Sequence, residues 1–412
     1  MRPLRIFHGF SAQEKRILFI TCPAHFLTHF FILVFPAVTM PLVAALGIPL
    51  ETVVRISFFM YLLYGLCALP VGIIVDRWQA RTMLVIGVFL MGAGLLAAGA
   101  VPRPHVMAAS LALVGVGASV YHPAGLALIS RTVRQRGHAL GVNGVFGNLG
   151  IASAPLVTGI LTWAVGWRWA FVALGALGLA TGALFSLVRV DEHAAPEARR
   201  AETGGPERAR YFVIVCVALV FAGIAYRGNM ILLPAYLELK TTFFSDLIAR
   251  LSFLKPQGRT TLAATVLSSL VLLTGIFGQL AGGRIADRMD LRRAYVLFHG
   301  MSLPFILAMA FVSDAALAVS AGLYAFFSLG MQPIENSLIA ALTPHRWRST
   351  SYAVKFVLNF GVGASAVYMI GPVKRAFALE TVYVFLALAT ALLVSTVVVL
   401  LIASRRLGSV RN

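Results

Sequence analysis

The chain has 412 residues, of which 59% are hydrophobic and only 12% charged. Soluble proteins carry about 25% charged residues, so the composition excludes an ordinary soluble globular protein. The net charge of +19 does not point to nucleic acid, because the basic residues are scattered through short polar segments and form no compact basic domain.

Apolar stretches long enough to cross a bilayer as helices recur along the chain. They are predicted at 17–44, 52–75, 82–101, 105–130, 139–165, 168–189, 211–237, 260–284, 294–313, 316–342, 350–373 and 380–403. No cleavable signal peptide is expected, since the first apolar run is too long and leads directly into the second. Cys22, Cys67 and Cys216 all fall inside these stretches, which argues against a disulfide framework. With an even number of spans, most of the 34 Lys and Arg residues fall in cytoplasmic segments when both termini are inside, as the positive-inside rule requires.

The first span carries His25, Thr28 and His29. The two histidines are four residues apart and share a helix face. Such a pair can ligate a metal, but HFLTH lacks the Glu of a zinc-protease motif, and no metal is expected. The loop after the second span reads "GIIVDRWQAR" from Gly72, and the loop after the eighth reads "GRIADRMDLRR" from Gly283. Gly72, Asp76, Arg77 and Arg81 recur as Gly283, Asp287, Arg288 and Arg292, each 211 residues later, and Asn148 and Gly150 recur as Asn359 and Gly361 at the same offset. His122-Pro123 has its counterpart in Gln332-Pro333, and "FPA" at Phe35 in "LPA" at Leu233. A doubled unit is therefore expected: six spans in 1–189, a polar cytoplasmic linker at 190–210, and six spans in 211–412.

The fourth span holds Tyr121 and His122, and the fifth is rich in glycine from Gly141 to Gly159 and carries Asn143 and Asn148. Glycines there suit close helix packing, and the asparagines suit hydrogen bonds between helices. The seventh span carries Tyr226, Arg227 and Asn229, with Arg227 roughly 24 Å from its cytoplasmic start at 1.5 Å per residue. After it, Phe243 to Leu254 has apolar residues at helical spacing and an Asp246/Arg250 pair. This segment fits a short surface helix, or a lid. His105 and His299 lie near predicted span ends and read as interfacial. The tenth span holds Gln332, Glu335 and Asn336, and the eleventh holds Lys355. Glu335 and Lys355 are each about 8–10 Å from the cytoplasmic end of their span, so they match in depth and can pair. No acid matches Arg227, whose remaining structural partners would be carbonyls of a helix kinked near Pro234. Ionisable groups in the bilayer interior are costly and normally face a cavity or a partner.

The G-x-x-x-D-R-x-x-x-R pattern and its repeat resemble the major facilitator superfamily over essentially the full chain. "YHP" at Tyr121 and "GNLGIASAP" at Gly147 resemble its fosmidomycin-resistance-type branch. The family's usual second loop glycine is replaced by Gln79 and Asp290. The resemblance implies an all-α membrane protein of two pseudo-symmetric six-helix bundles, in which spans 1, 4, 7 and 10 line a central cavity and the loop motifs gate it. His25, His29, Tyr121, His122, Tyr226, Arg227, Asn229 and Gln332 are then the candidate substrate-binding residues. Glu335 and Lys355 are the candidates for proton coupling, with His25, His29 and His122 as rival carriers. Gly72, Asp76, Arg77, Arg81, Gly283, Asp287, Arg288 and Arg292 are the candidate gate. In each gating loop the glycine is expected to allow close helix approach, and the Asp and Arg to pair across helices or cap a helix end.

No nucleotide-binding G-x-x-x-x-G-K-[ST] pattern occurs, so no cofactor and no ATP dependence are expected. The expectation is a monomeric, proton-coupled secondary transporter of a bacterial inner membrane, exporting a small anionic solute by alternating access. Its partners are the solute, protons and lipid. Uptake of an organic anion and lipid or lysolipid flipping are the alternatives. A receptor or membrane-embedded enzyme would need a nucleophile–base or metal constellation that the sequence does not offer.

Overall fold

The computed structural model describes residues 9–101, 103–192, 206–251, 255–344 and 348–404. Most of the expected linker, 193–205, lies outside the described residues. We number the long helical segments α1 (Ala12–Ile32), α2 (Leu50–Val75), α3 (Ala80–Ala100), α4 (Pro104–Thr132), α5 (Arg136–Val165), α6 (Trp167–Leu187), α7 (Glu207–Lys240), α8 (Arg259–Arg288), α9 (Leu291–Ala308), α10 (Asp314–Leu342), α11 (Thr350–Ala376) and α12 (Leu379–Ala403). Ten of these are long and apolar enough to cross a membrane. Against the twelve spans expected, the described residues thus give ten by length and composition. α1 and α9 form as helices but fall outside the ten. α1 carries charged residues at its start and two histidines inside, and α9 opens on Arg292 and Arg293. The outer surface of the helices is apolar: Phe277 is 65% and Leu388 55% exposed. A soluble monomer rarely shows so continuous an apolar surface; lipid covers it in a multi-pass membrane protein.

Local sequence explains the helix ends that matter. α1 starts on a capping box, in which the Ser11 hydroxyl accepts from Glu14 N and the Glu14 carboxylate accepts from Ser11 N, satisfying two orphan donors reciprocally. Its other end is set by Pro36, which has no N–H to give to the carbonyl four residues back. That carbonyl is Ile32 O, and it accepts instead from the Tyr61 hydroxyl of α2 at 3.1 Å. The chain continues outward as short helices at Val34–Ala37 and Thr39–Leu46, closed by Gly47 in the left-handed conformation. α11 is irregular at its centre, with a π-helical turn at Val357–Gly361 followed by a 3₁₀ turn at Val362–Ala364. Such turns interrupt the helical hydrogen-bond ladder and recur at functional sites.

The first six helices and the last six meet along two seams, α2 against α11 and α5 against α8. Gln279 of α8 bonds Asn148 of α5 across the second seam. At the ends expected outside, Lys374 pairs with Glu51 at 2.8 Å across the first seam. In the glycine-rich α5, a Cβ at Gly150 would collide with the backbone oxygen of Phe26 on α1, which is the close approach the sequence suggests. The segment from Phe243 forms a short helix, Phe243–Ala249, anchored where Asp314 accepts from Thr242 N and Phe243 N. It buries Ile248 against Leu262 and Ala263 while Leu247 stays 54% exposed. Residues 252–254 of the expected surface segment lie outside the described residues.

Candidate functional site

Arg227 is only 1% exposed, deep in α7. Its guanidinium carbon sits 4.0 Å above the ring of Tyr61, 5.5 Å from that of Phe360 and 5.8 Å from that of Tyr226. The cation is thus held by aromatic faces from α2, α11 and its own helix. Cation–π attraction stabilises by up to about 2 kcal/mol when desolvated. Its hydrogen-bonding capacity is not used up: Nε and Nη2 are buried without a hydrogen-bond partner among the described residues. A fork of buried donors with no acceptor is expensive in a dry interior. An aromatic cage thus surrounds Arg227, where the sequence offers the carbonyls of a kinked helix as the alternative to a bound solute. Pro36 contributes indirectly, because the carbonyl it frees anchors the Tyr61 hydroxyl and so the ring beneath the cation.

The histidines lie together on the other half. His25 stacks on Tyr121 at 4.3 Å, and its Nδ1 lies 2.9 Å from the carbonyl oxygen of Asn143. Tyr121 in turn donates to Asn143 Oδ1 at 2.5 Å. His122 stacks on Phe356 at 4.3 Å, with Nε2 3.1 Å from the Tyr64 hydroxyl. His29 is 4.9 Å from His25 and 5.4 Å from His122, centroid to centroid. The structure therefore brings His25, His29, Tyr121 and His122 together, as the sequence suggests, and adds Tyr64, Asn143 and Phe356 around them. Asn143 acts as the helix glue expected of it while also orienting two of the site's rings.

A second polar chain runs through the last six helices. Lys355 Nζ lies 2.7 Å from Glu335 Oε1, both side chains almost fully buried, and also donates to Asn336 Oδ1 at 2.6 Å. The depth match read from the sequence is realised as an ion pair. The other Glu335 oxygen accepts from the Tyr295 hydroxyl at 2.6 Å, and the Tyr295 ring meets His299 edge-on at 4.5 Å. His299 is not interfacial: it is 3% exposed, and its Nε2 has no partner among the described residues. The expectation fails because His299 lies on the face of α9 that packs into the bundle, with Tyr295, Phe298 and Ser302, and distance from the span end does not reveal which face a residue is on. His299, Tyr226, Gln332, Asn359 and Phe360 line a cavity of about 20 Å³, enough for about one water. Gln332 accepts from Gln279 at 2.8 Å. Asn229 is buried with Oδ1 unpartnered among the described residues.

The loop motifs divide into two kinds of contact. Asp76 pairs with Arg131 at the end of α4 at 2.6 Å, with both side chains exposed. Arg81 donates to the carbonyls of Phe185, Ser186 and Val188, capping the C-terminus of α6. Arg292 does the same for α12, donating to Ser404 O at 2.5 Å and to Ser404 Oγ at 2.9 Å. A guanidinium at a helix C-terminus satisfies orphan carbonyls and opposes the dipole, and the repeat preserves this in both halves. Asp290, standing where the family has glycine, caps α9 by accepting from Arg292 N and Arg293 N. The motif glycines do not bring helices together. A Cβ at Gly72 would meet only Pro123 at an ordinary 3.8 Å, and one at Gly283 would meet nothing within 4 Å. The close approach is one residue earlier, where Gly282 faces the Gly330 carbonyl.

Comparison with known proteins gives this bundle of apolar helices a family. Residues 21–367 match the Major Facilitator Superfamily. The chain belongs to that superfamily. It is a transporter and not an enzyme. A probable sulfoacetate transporter of Cupriavidus necator is 24% identical over 340 residues, 75% of this chain and 74% of the relative. An MFS-type efflux pump of Mycolicibacterium smegmatis is 24% identical over 331 residues, 76% of this chain and 73% of the relative. Several further superfamily relatives are matched over about half of their own length or less. In fold, a peptide transporter solved in complex with sulfate superimposes with a TM-score of 0.72 at 15% identity, covering 95% of each chain. These matches carry the superfamily and not its narrower fosmidomycin-resistance-type branch.

Proposed function

We propose that this chain is a proton-coupled transporter of a small organic anion, with Arg227 as the anchor for the anionic group. The carrying observation is the buried guanidinium with two unfilled donor atoms and, among the described residues, no carboxylate paired to it. A carboxylate, sulfonate or phosphonate supplies the acceptors that Arg227 lacks, in the geometry a guanidinium prefers. His25, His29, Tyr121, His122, Tyr226, Asn229 and Gln332 complete the binding wall. The sulfoacetate name of one relative is in keeping with an anion of this class, and the efflux name of another supports export as the direction.

In this reading the protein is a monomer of two six-helix halves, 1–189 and 211–412, joined by the cytoplasmic linker 190–210. Both termini are cytoplasmic, in a bacterial inner membrane. The halves rock about the α2/α11 and α5/α8 seams, exposing Arg227 to each side in turn. Glu335 carries the proton, released when Lys355 approaches and regained when the pair separates. The Tyr295 hydroxyl and His299 lead from it to the small cavity beside Asn359. The charges of the two loop motifs, Asp76, Arg77, Arg81, Asp287, Arg288 and Arg292, hold the cytoplasmic ends and yield as the halves move.

The test is uptake and counterflow in proteoliposomes with labelled sulfonates, carboxylates and phosphonates, alongside organic cations and lysolipids. Anions are expected to be carried by the wild type and lost in both Arg227→Ala and Arg227→Lys, because Lys keeps the charge but not the fork. Unchanged anion affinity in both variants, with folded protein in the membrane, would overturn the reading. Transport of lysolipid alone would favour flipping.

A further inference from the structure

Three histidines, two from α1 and one from α4, converge at one point. The ligand nitrogens of His25, His29 and His122 all lie within 4.8 Å of one another. The sequence supplies only the first two as an i, i+4 pair; the fold brings the third from α4.

We propose that His25, His29 and His122 bind a divalent transition-metal ion of the imidazole-preferring class, such as Zn²⁺, Co²⁺ or Ni²⁺. The hydrogen bonds around the trio carry the argument. The Asn143 carbonyl is an acceptor only, so His25 Nδ1 is the protonated nitrogen and its Nε2 lone pair is left for a ligand. A metal-bound histidine characteristically donates its other nitrogen to a carbonyl in this way. His122 places Nε2 against the Tyr64 hydroxyl and leaves Nδ1 buried with no hydrogen-bond partner among the described residues. With Nε2–H donating to the Tyr64 hydroxyl oxygen, the tautomer a metal site needs, that Nδ1 lone pair is left for a ligand. His29 completes the set from the turn above His25. Zinc–nitrogen bonds of 2.0–2.1 Å put tetrahedral ligand atoms about 3.4 Å apart, so side-chain rotations closing just over 1 Å would assemble the site.

Three nitrogens leave a fourth position open. No carboxylate lies among the ligands to neutralise the ion, and His122 and Arg227 share a neighbour in the Phe360 ring, 6.2 Å and 5.5 Å from its centroid. The metal and the guanidinium therefore repel, and an oxyanion between them would favour both. This site goes beyond the anion reading and does not depend on it: the ligands are imidazoles of the first six helices, whereas Arg227 belongs to α7.

The experiment uses the purified full chain with its purification tag removed, titrated with Co²⁺ alone by visible absorption and with Zn²⁺ alone by calorimetry. Saturable 1:1 binding is expected, with a Co²⁺ spectrum of nitrogen ligation. His29→Ala and His122→Ala should each weaken binding at least 100-fold. Tyr64→Phe, which keeps the ring but removes the hydroxyl beside His122, should weaken it about tenfold, in the range of other outer-sphere losses. Arg227→Ala should tighten it. His29→Gln serves if the alanine variant does not fold. No saturable binding by the wild type, or equal binding by the wild type and the histidine variants, would overturn the site and leave the trio as a hydrogen-bonding wall. Anion counterflow in chelator-treated vesicles reports on the anion reading separately.

Discussion

Gly65 of α2 and Gly361 of α11 touch backbone to backbone: a Cβ on Gly65 would fall inside van der Waals distance of the Gly361 nitrogen. The contact is one-sided, because a Cβ on Gly361 would meet Leu66 N at a tolerable 3.4 Å. It lies on a seam between the halves, at the end of the π-helical turn that presents Asn359 and Phe360. Overpacking a well-fitted contact costs typically about 1–3 kcal/mol. Gly65→Ala is therefore expected to lower the melting temperature and slow transport about tenfold or more, while Gly361→Ala stays near wild type. Equal behaviour of the two variants in thermal-shift and counterflow measurements would show that the seam has no tight register here.

Two residues of one loop motif should separate in their effects. The Asp76–Arg131 pair is exposed, so it contributes about 0–1 kcal/mol. Arg81 donates charged hydrogen bonds to three helix-terminal carbonyls, each worth roughly 1.5–3 kcal/mol. Arg81→Ala should clearly destabilise the purified protein, and Asp76→Asn hardly at all. Asp76→Asn should instead slow conformational exchange without weakening solute affinity. A comparison of melting temperature, equilibrium binding and exchange rate decides; loss of affinity with exchange intact would place Asp76 elsewhere in the cycle.

How much of this could be read in advance depends on the kind of signal. Glu335 and Lys355 were legible as a pair because their sequence positions fix their depths, and depth in a bilayer is one coordinate of position. The doubled motif was legible because Arg81 and Arg292 cap equivalent helix ends. What remained hidden depends on rotation about helix axes. Tyr61 and Tyr64 look like ordinary apolar filling in a sequence; only packing turns their rings toward Arg227 and His122. His299 lies near the end of its span in sequence, but rotation about the helix axis, which sequence distance does not give, turns it into the bundle. The motif glycines were assigned a packing role that this structure gives to Gly282, because spacing does not say which face of a helix meets its neighbour. A Tyr or His at i, i+3 or i, i+4 from another polar residue in a span was the one available hint, as in Tyr295 and His299.

Outside the membrane-spanning segments, Glu14 clasps the start of α1 to the loop after α4. Its carboxylate accepts from Ser11 N at 2.7 Å and from Arg134 N at 2.8 Å. Burial pushes its pKa up, but the donors from Ser11 and Arg134 outweigh this and hold it below the ordinary carboxylate value. A depressed folded pKa gives stability that is present above the unfolded value and lost as pH falls through the folded one. The wild type should lose melting temperature below about pH 4.3, and Glu14→Gln should start lower and show a flatter acid limb. Identical acid limbs would show that the clasp does not titrate on unfolding.

The coupling prediction turns on the buried pair. Removing one partner of a buried ion pair typically costs about 3–5 kcal/mol, since the other charge is left unpaired. Glu335→Gln spares part of this cost, because Lys355 keeps its bond to Asn336 Oδ1. Glu335→Gln combined with Lys355→Met removes both charges and guards against a folding defect. Both forms are expected to lose pH-gradient-driven accumulation while retaining solute counterflow, because exchange of solute for solute needs no net proton movement. His25→Ala, His29→Ala and His122→Ala should keep accumulation wherever they keep binding. Tyr295→Phe, which removes the hydroxyl donated to Glu335, should slow accumulation more than counterflow. If Glu335→Gln concentrates solute against its gradient at the wild-type ratio, the pair is structural, and the histidines or another driving ion carry the coupling.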